Sequence, residues 1–210
     1  MIKDPIRYLF YGVLFCLVLS FVACAGAPLP IADSLSLVEP QETIVVGKII
    51  LEPPLETVEQ DLKTVKMGKS GLMINPYAKR FVNKVFLLTD KEMRNLHNPS
   101  PRDYRNRIEA ELGEIFYVRA PNNPIYVIGT EIIMGFGSSG VKKASLPAGY
   151  KINIKKADKA VYIGTIKYYR DEFFDIQKIE LLDEYTECKT AFKKKFGDQV
   201  ALRKSIVLPQ

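Results

Sequence analysis

Protein chemistry is concentrated in a few side-chain types, and this chain uses them sparingly. It has one histidine, His97 in "NLHNPSP", and three cysteines, Cys16, Cys24 and Cys188, with no C-x-x-C pair. A Ser/His/Asp triad or a multi-histidine zinc site would rest on His97 alone, so it reads as a solvated loop residue. "GFGSSG", Gly135 to Gly140, satisfies the G-x-G-x-x-G spacing of dinucleotide sites. That chemistry needs a helix opening at the third glycine, with its N-terminus facing the pyrophosphate. Pro147 interrupts any such helix within two turns, so the stretch reads as a loop between strands. "YRDEFFD" gathers Asp171, Glu172 and Asp175, but it lacks the alternating ligands and turn glycine of a calcium loop. It reads as a solvated turn. No catalytic residue, no metal ligand and no cofactor site is expected.

The composition narrows the classes further. The chain has 210 residues, 47% of them apolar, and a formal charge of +6. It is long enough for one domain with a sizeable core. The small basic excess, without an Arg/Lys stripe interleaved with aromatics, argues against nucleic acid as a partner. The densest basic region is Lys189, Lys193, Lys194 and Lys195, with Arg203 and Lys204 beyond. It reads as a wet helix face, with contact to anionic headgroups as the sharper option.

The elements that would position any site begin after an unusual N-terminus. Lys3 and Arg7 precede "YLFYGVLFCLVLSFVA", Tyr8 to Ala23, which runs without a charge. It is too short for an ordinary spanning helix of ~20 residues and suits a secretory signal. Its end, Phe21-Val22-Ala23-Cys24, resembles the lipobox of bacterial lipoproteins, although Phe21 stands where leucine is usual. The resemblance implies cleavage after residue 23, diacylglyceryl modification of Cys24 and attachment to the membrane through that lipid. Two acyl chains on one residue satisfy the requirement of stable anchoring for more than one signal. Ala25 after the cysteine implies sorting to the outer membrane in a two-membrane host, with an envelope protein of unknown identity as a further partner. Acylation of Cys24 would leave Cys188 without a disulfide partner. Residues 25–42 hold three prolines and no clear period, so 24–42 reads as a lipidated cysteine and flexible tether.

From residue 43 to 210, short β-rich runs recur between turn signals, among them "TIVVGKIIL", "IYVIGTEIIM", "AVYIGTIKYY" and "FFDIQKIELL". Seven or more such strands with almost no helix between them predict a mainly β fold, an antiparallel β-sandwich of immunoglobulin-like or transthyretin-like kind. One C-terminal α-helix over 184–196 is expected to pack on it, with Asp183 as N-cap and Tyr185, Cys188, Phe192 and Phe196 on one face. Cys188 on that stripe reads as a small buried hydrophobe. "LPAGYKINI" and "APNNPIYVIG" are similar to the strand-turn-tyrosine style of carboxypeptidase-regulatory-like, transthyretin-type domains. That resemblance implies a non-catalytic module of an exported protein and carries over no binding residue. "DKEMRNLHNPSPRDYRNR", Asp90 to Arg107, is a long polar insertion and, with Gly135–Gly140, the first suspect for recognition. The sequence therefore points to a lipid-anchored envelope protein with a non-catalytic binding or structural β-domain. A lipid-anchored carboxylate hydrolase and a protein with an uncleaved N-terminal anchor stay open as alternatives.

Overall fold

A computed structural model of the chain describes residues 27–55, 84–90, 106–135, 141–173 and 175–209. The apolar N-terminal run, Cys24, His97 and most of the polar insertion lie outside the described residues. Among the described residues, twelve strands and one α-helix follow in order: β1 (Ala27–Pro28), β2 (Glu42–Glu52), β3 (Lys84–Asp90), β4 (Asn106–Glu111), β5 (Ile115–Pro121), β6 (Ile125–Gly135), β7 (Val141–Leu146), β8 (Tyr150–Ile152), β9 (Ala160–Arg170), β10 (Ile176–Leu182), α1 (Tyr185–Phe196), β11 (Leu202–Lys204) and β12 (Leu208–Pro209). Among the described residues, no helix is long and apolar enough to cross a membrane.

The strands form two sheets. The larger runs β1-β4-β3-β6-β8-β12, with β7 also on β6; the smaller runs β10-β9-β2-β5, with β11 also on β9. Both are mixed, which corrects the all-antiparallel expectation. β2 lies parallel to β9, β11 lies parallel to β9, and β1 lies parallel to β4. Parallel pairing is reached because more than one hundred residues separate β2 from β9, ample for a crossover.

One core takes side chains from both sheets: Val45, Ile49, Val161 and Tyr168 from the smaller, Val85, Leu87, Ile108 and Ile152 from the larger. A second cluster fills the other face of the smaller sheet. There Ile44, Val46 and Tyr162 meet Cys188, Phe192 and Phe196 of α1. The helix therefore stands where the stripe placed it, and Cys188 is fully buried. Its N-terminus differs in detail. Glu184 occupies the cap position without a side-chain cap bond, while Asp183 Oδ1 accepts from Tyr185 N at 3.3 Å. A sheet residue takes part too, since Glu184 N donates to the Tyr162 hydroxyl at 2.8 Å.

Residues 27–42 are not the expected loose tether. Leu29 and Ala32 are buried, Leu35–Leu37 form a 3₁₀ turn, and β2 begins at Glu42. The physical reason lies in "APLPIA". Pro28 and Pro30 lack N–H groups, so this strap pairs through single bonds on alternate sides. Leu29 N donates to Arg107 O of the larger sheet at 2.8 Å, and Pro30 O accepts from Arg119 N of the smaller sheet at 2.8 Å. Ala32 N then donates to Tyr117 O at 2.9 Å. The strap crosses from one sheet to the other.

Gly47 on β2 marks the tightest point of the shared core. A Cβ there would stand 2.7 Å from Phe116 Cζ and 2.8 Å from Ile163 Cγ1. Both are inward side chains without room to retreat. Gly47→Ala is expected to cost about 1–3 kcal/mol of stability, read as a lower urea midpoint at unchanged slope. An unchanged midpoint would mean that the rings and methyls around Gly47 yield freely.

Candidate functional site

A concavity among the described residues follows from the strap. Where residues 28–31 pass between the open edges of β4 and β5, they leave a cleft of roughly 650 Å³. Its floor is apolar: Leu29, Ala110, Phe116 and Val118 are all buried. Its rim carries Lys84, Glu111, Glu114 and Lys195, and Ile31 stands at the mouth, 61% exposed. The β4–β5 turn that presents the two glutamates is made by Gly113 at φ 83°, whose N–H donates to Ile49 O at 2.8 Å. That left-handed backbone is one glycine adopts without penalty.

Part of the rim is already engaged. Arg107 holds Glu109 at 2.7–2.8 Å, and Lys195 lies 3.6 Å from Asp33 and 5.0 Å from the Tyr117 ring centre. Phe196 meets Tyr117 edge-on at 5.5 Å, so the end of α1 braces one wall. An apolar floor with charges at its lip suits binding of an amphipathic group or side chain. Among the described residues, no group of three metal-ligating side chains comes together.

The residues singled out from sequence are dispersed. Gly135 ends β6 and Val141 opens β7, so a strand follows the third glycine of "GFGSSG", where a dinucleotide site needs a helix. Asp171 is consumed by its own turn. Its Oδ1 accepts from Phe173 N and Asp175 N, both at 2.9 Å, and its Oδ2 accepts from Gln177 Nε2 at 3.0 Å. The basic region is divided among acids: Lys193 with Asp198 at 2.6 Å, Lys204 with Asp183, and Arg203 with Asp158. Burial pushes the Cys188 thiol up to about 11, helped by the Glu187 and Glu184 carboxylates. Such a thiol is protonated at neutral pH and a poor nucleophile.

Of the cleft residues, Lys195 alone was singled out from sequence, as part of the basic helix face. The available signal was the alternation of prolines with Leu29 and Ala32, which marks an edge-pairing segment rather than a linker.

A buried carboxylate, Asp158, stands in the turn between β8 and β9. Arg203 Nε donates to its Oδ1 at 2.7 Å and Arg203 Nη2 to its Oδ2 at 2.5 Å, while Lys155 N donates to Oδ2 at 2.7 Å. Thr43 Oγ1 donates to the Asp158 carbonyl at 2.7 Å, and Arg203 Nη2 also reaches Asn153 O at 2.6 Å. Burial works to raise the Asp158 carboxyl, but the Arg203 fork and the Lys155 N–H outweigh it and hold it below its usual 3.8. This clasp ties β2, β9 and β11 at one end of the molecule.

Two outcomes follow. Asp158→Asn is expected to lose about 2 kcal/mol at pH 7, since hydrogen bonds to a charged group are removed. The folded-state pKa is depressed, so the clasp is at full strength above the unfolded value and weakens as pH falls through the lower folded one. The gap between parent and variant should therefore stay level from pH 7 to 5 and shrink below pH 4 in urea titrations. A gap that widens in acid would contradict the assignment. In the native protein at pH 8, Cys188 should resist a thiol reagent and react only after urea frees α1. No family model, no curated protein and no solved structure matches this chain.

Proposed function

We propose that this chain is an exported, lipid-anchored envelope protein, with Cys24 as the acylated residue and the β-domain as a non-catalytic binding or structural module. The observation that supports the reading is the short stretch of sequence between Cys24 and the first paired strand. The "FVAC" sequence resembles a lipobox, and strand pairing begins three residues later, at Ala27 beside Asn106. Three residues reach at most ~10 Å. An acylated Cys24 would thus hold the domain directly against the headgroups.

Charge at that end of the molecule supports the reading. β4 begins beside Ala27, β6 begins at Ile125 opposite the end of β8 at Ile152, and β9 begins at Ala160. The turn joining β8 to β9 therefore emerges at the same end and exposes Lys155, Lys156 and Lys159. Each lysine near an anionic leaflet contributes ~1 kcal/mol. With outer-membrane sorting from Ala25, this end faces the lipid and the cleft opens to the side.

We read the two sheets as a sandwich because their inward side chains share one core. Similarity to transthyretin-type modules extends to the strand-turn style around Pro147-Ala148-Gly149-Tyr150, while the parallel β2–β9 pair departs from an immunoglobulin-like order. Binding is favoured over hydrolysis by the fate of the carboxylates. Cations hold Asp158, Glu180 and Asp183 below their usual range, each at its own joint: Arg203 on Asp158, Lys178 on Glu180 and Lys204 on Asp183. Proton transfer to a substrate instead calls for a carboxyl tuned toward the working pH.

The intact mass of the native protein from membranes, beside a Cys24→Ala variant, tests the anchor. Loss of residues 1–23 with an added lipid mass, absent from the variant, is the expected result. A full-length, unmodified mass in both proteins would replace this reading with an uncleaved anchor.

A further inference from the structure

We propose that β10 is a self-association edge, through which two copies of this chain join their smaller sheets into one continuous sheet. Most other edges are short or covered. β5 is stitched by the strap, while β1 and β12 are two-residue strands that each contain a proline. β10 runs for seven residues without a proline, and no strand among the described residues pairs with its outer side. Such an edge is a template for another strand. β7, another edge among the described strands, has the sequence VKKASL, with two lysines and no acidic residue to complement them in a second copy.

The order of residues on β10 names the partner. In Ile176-Gln177-Lys178-Ile179-Glu180-Leu181-Leu182, opposite charges flank Ile179 and apolar residues stand at both ends, with Gln177 mirrored by Leu181. An antiparallel copy with the two-fold axis at Ile179 sets Ile179 against Ile179 and Lys178 against Glu180 on both sides of the axis. Its faces are already fixed by β9. Ile179 pairs with the buried Tyr168 on the core side, while Lys178 pairs with Tyr169 and Glu180 with Lys167 on the opposite face.

The join would therefore read Lys167, Glu180, then Lys178 and Tyr169 of the second copy, and the same in reverse. Cations flank each carboxylate across it. Within one chain these groups are already gathered, since Tyr169 Oη donates to Glu180 at 2.6 Å and Lys178 contacts Glu180. Ile179, 36% exposed, loses its water on pairing.

Register is specified as well. In a two-fold join that keeps each sheet's core face on the same side, the pairing can shift only by two residues. Either shift opposes Lys178 to Lys178 or Glu180 to Glu180, and like charges directly opposite destabilise a sheet. A seven-residue edge makes a small interface, so association is weak in dilute solution and strengthened where copies are held together on one surface.

The test uses the full chain in its native membranes. Ile179→Cys should give an oxidatively cross-linked homodimer, because residues opposed across the axis lie within disulfide reach. Gln177→Cys should not, since its two copies would be ~13 Å apart. The parent, with its native cysteines, sets the background. Yield from Ile179→Cys is expected about tenfold above both, to fall about tenfold when Lys178→Glu or Glu180→Lys is added, and to return when both are present. Equal yields at 177 and 179, no recovery in the doubly swapped variant, or capture of a different protein in place of a homodimer would overturn the proposal.

Discussion

The described fold is organised around β9, a strand with neighbours on both edges and both faces. It pairs with β2 on one side and with β10 and β11 on the other. Its outward residues Ala160 and Tyr162 meet the helix cluster, and its inward residues Val161 and Ile163 enter the shared core. Beyond Gly164 the parity changes, and Ile166 and Tyr168 become the inward residues. The register against β2 slips at the same place, from Val46↔Tyr162 to Lys48↔Thr165. Gly164 has φ 99°, and a Cβ on it would approach Ile206 Cγ2 to 3.2 Å. One extra residue at a left-handed glycine thus turns the strand over, as bulges do.

The same strand explains why the polar chemistry of the chain is spent on architecture. Tyr162 has burial against its ionised form and rises to about 12, which keeps its hydroxyl available as a neutral partner for Glu184 N. Thr165 Oγ1 donates to Glu184 Oε2 at 2.7 Å, and Lys48 lies 3.5 Å from Glu184 and 3.6 Å from Glu187. Of these, the Tyr162 hydroxyl serves a backbone N–H at the start of α1, while the Thr165 and Lys48 contacts hold the Glu184 and Glu187 side chains against the sheet. Arg170 closes the other end of β9 by donating to Pro53 O and Pro54 O, both at 3.0 Å. Ionisable groups that look suggestive in sequence are thereby committed to joints between elements.

This is also why some of the fold was legible and some was not. β2, β5, β6, β9 and β10 were read from β-branched and aromatic runs, and α1 from its apolar stripe. Those elements carry their burial pattern within themselves. β4, "NRIEAE", and β7, "VKKASL", were missed because alternate residues are charged or small and their neighbours along the chain are polar. Only pairing with β3 and β6 makes them strands. Parallel order could not be read, since nothing local distinguishes a strand that pairs with a distant parallel partner. The cleft was invisible for the same reason: its walls come from the strap, β4, β5 and the end of α1.

The strap carries the main consequence for anchorage. A tether of some eighteen residues would have let the domain roam tens of ångströms from the bilayer. With pairing from Ala27 onward, only Ala25 and Gly26 separate the proposed lipid from the sheet. β1 runs parallel to β4, and the Leu29, Pro30 and Ala32 bonds hold the strap to both sheets. The buried Leu29 must also leave the core before the strap can move. Under the proposed anchorage, the attachment point, the cleft wall and the link between the two sheets are one short segment. Loosening any of these three would disturb the other two.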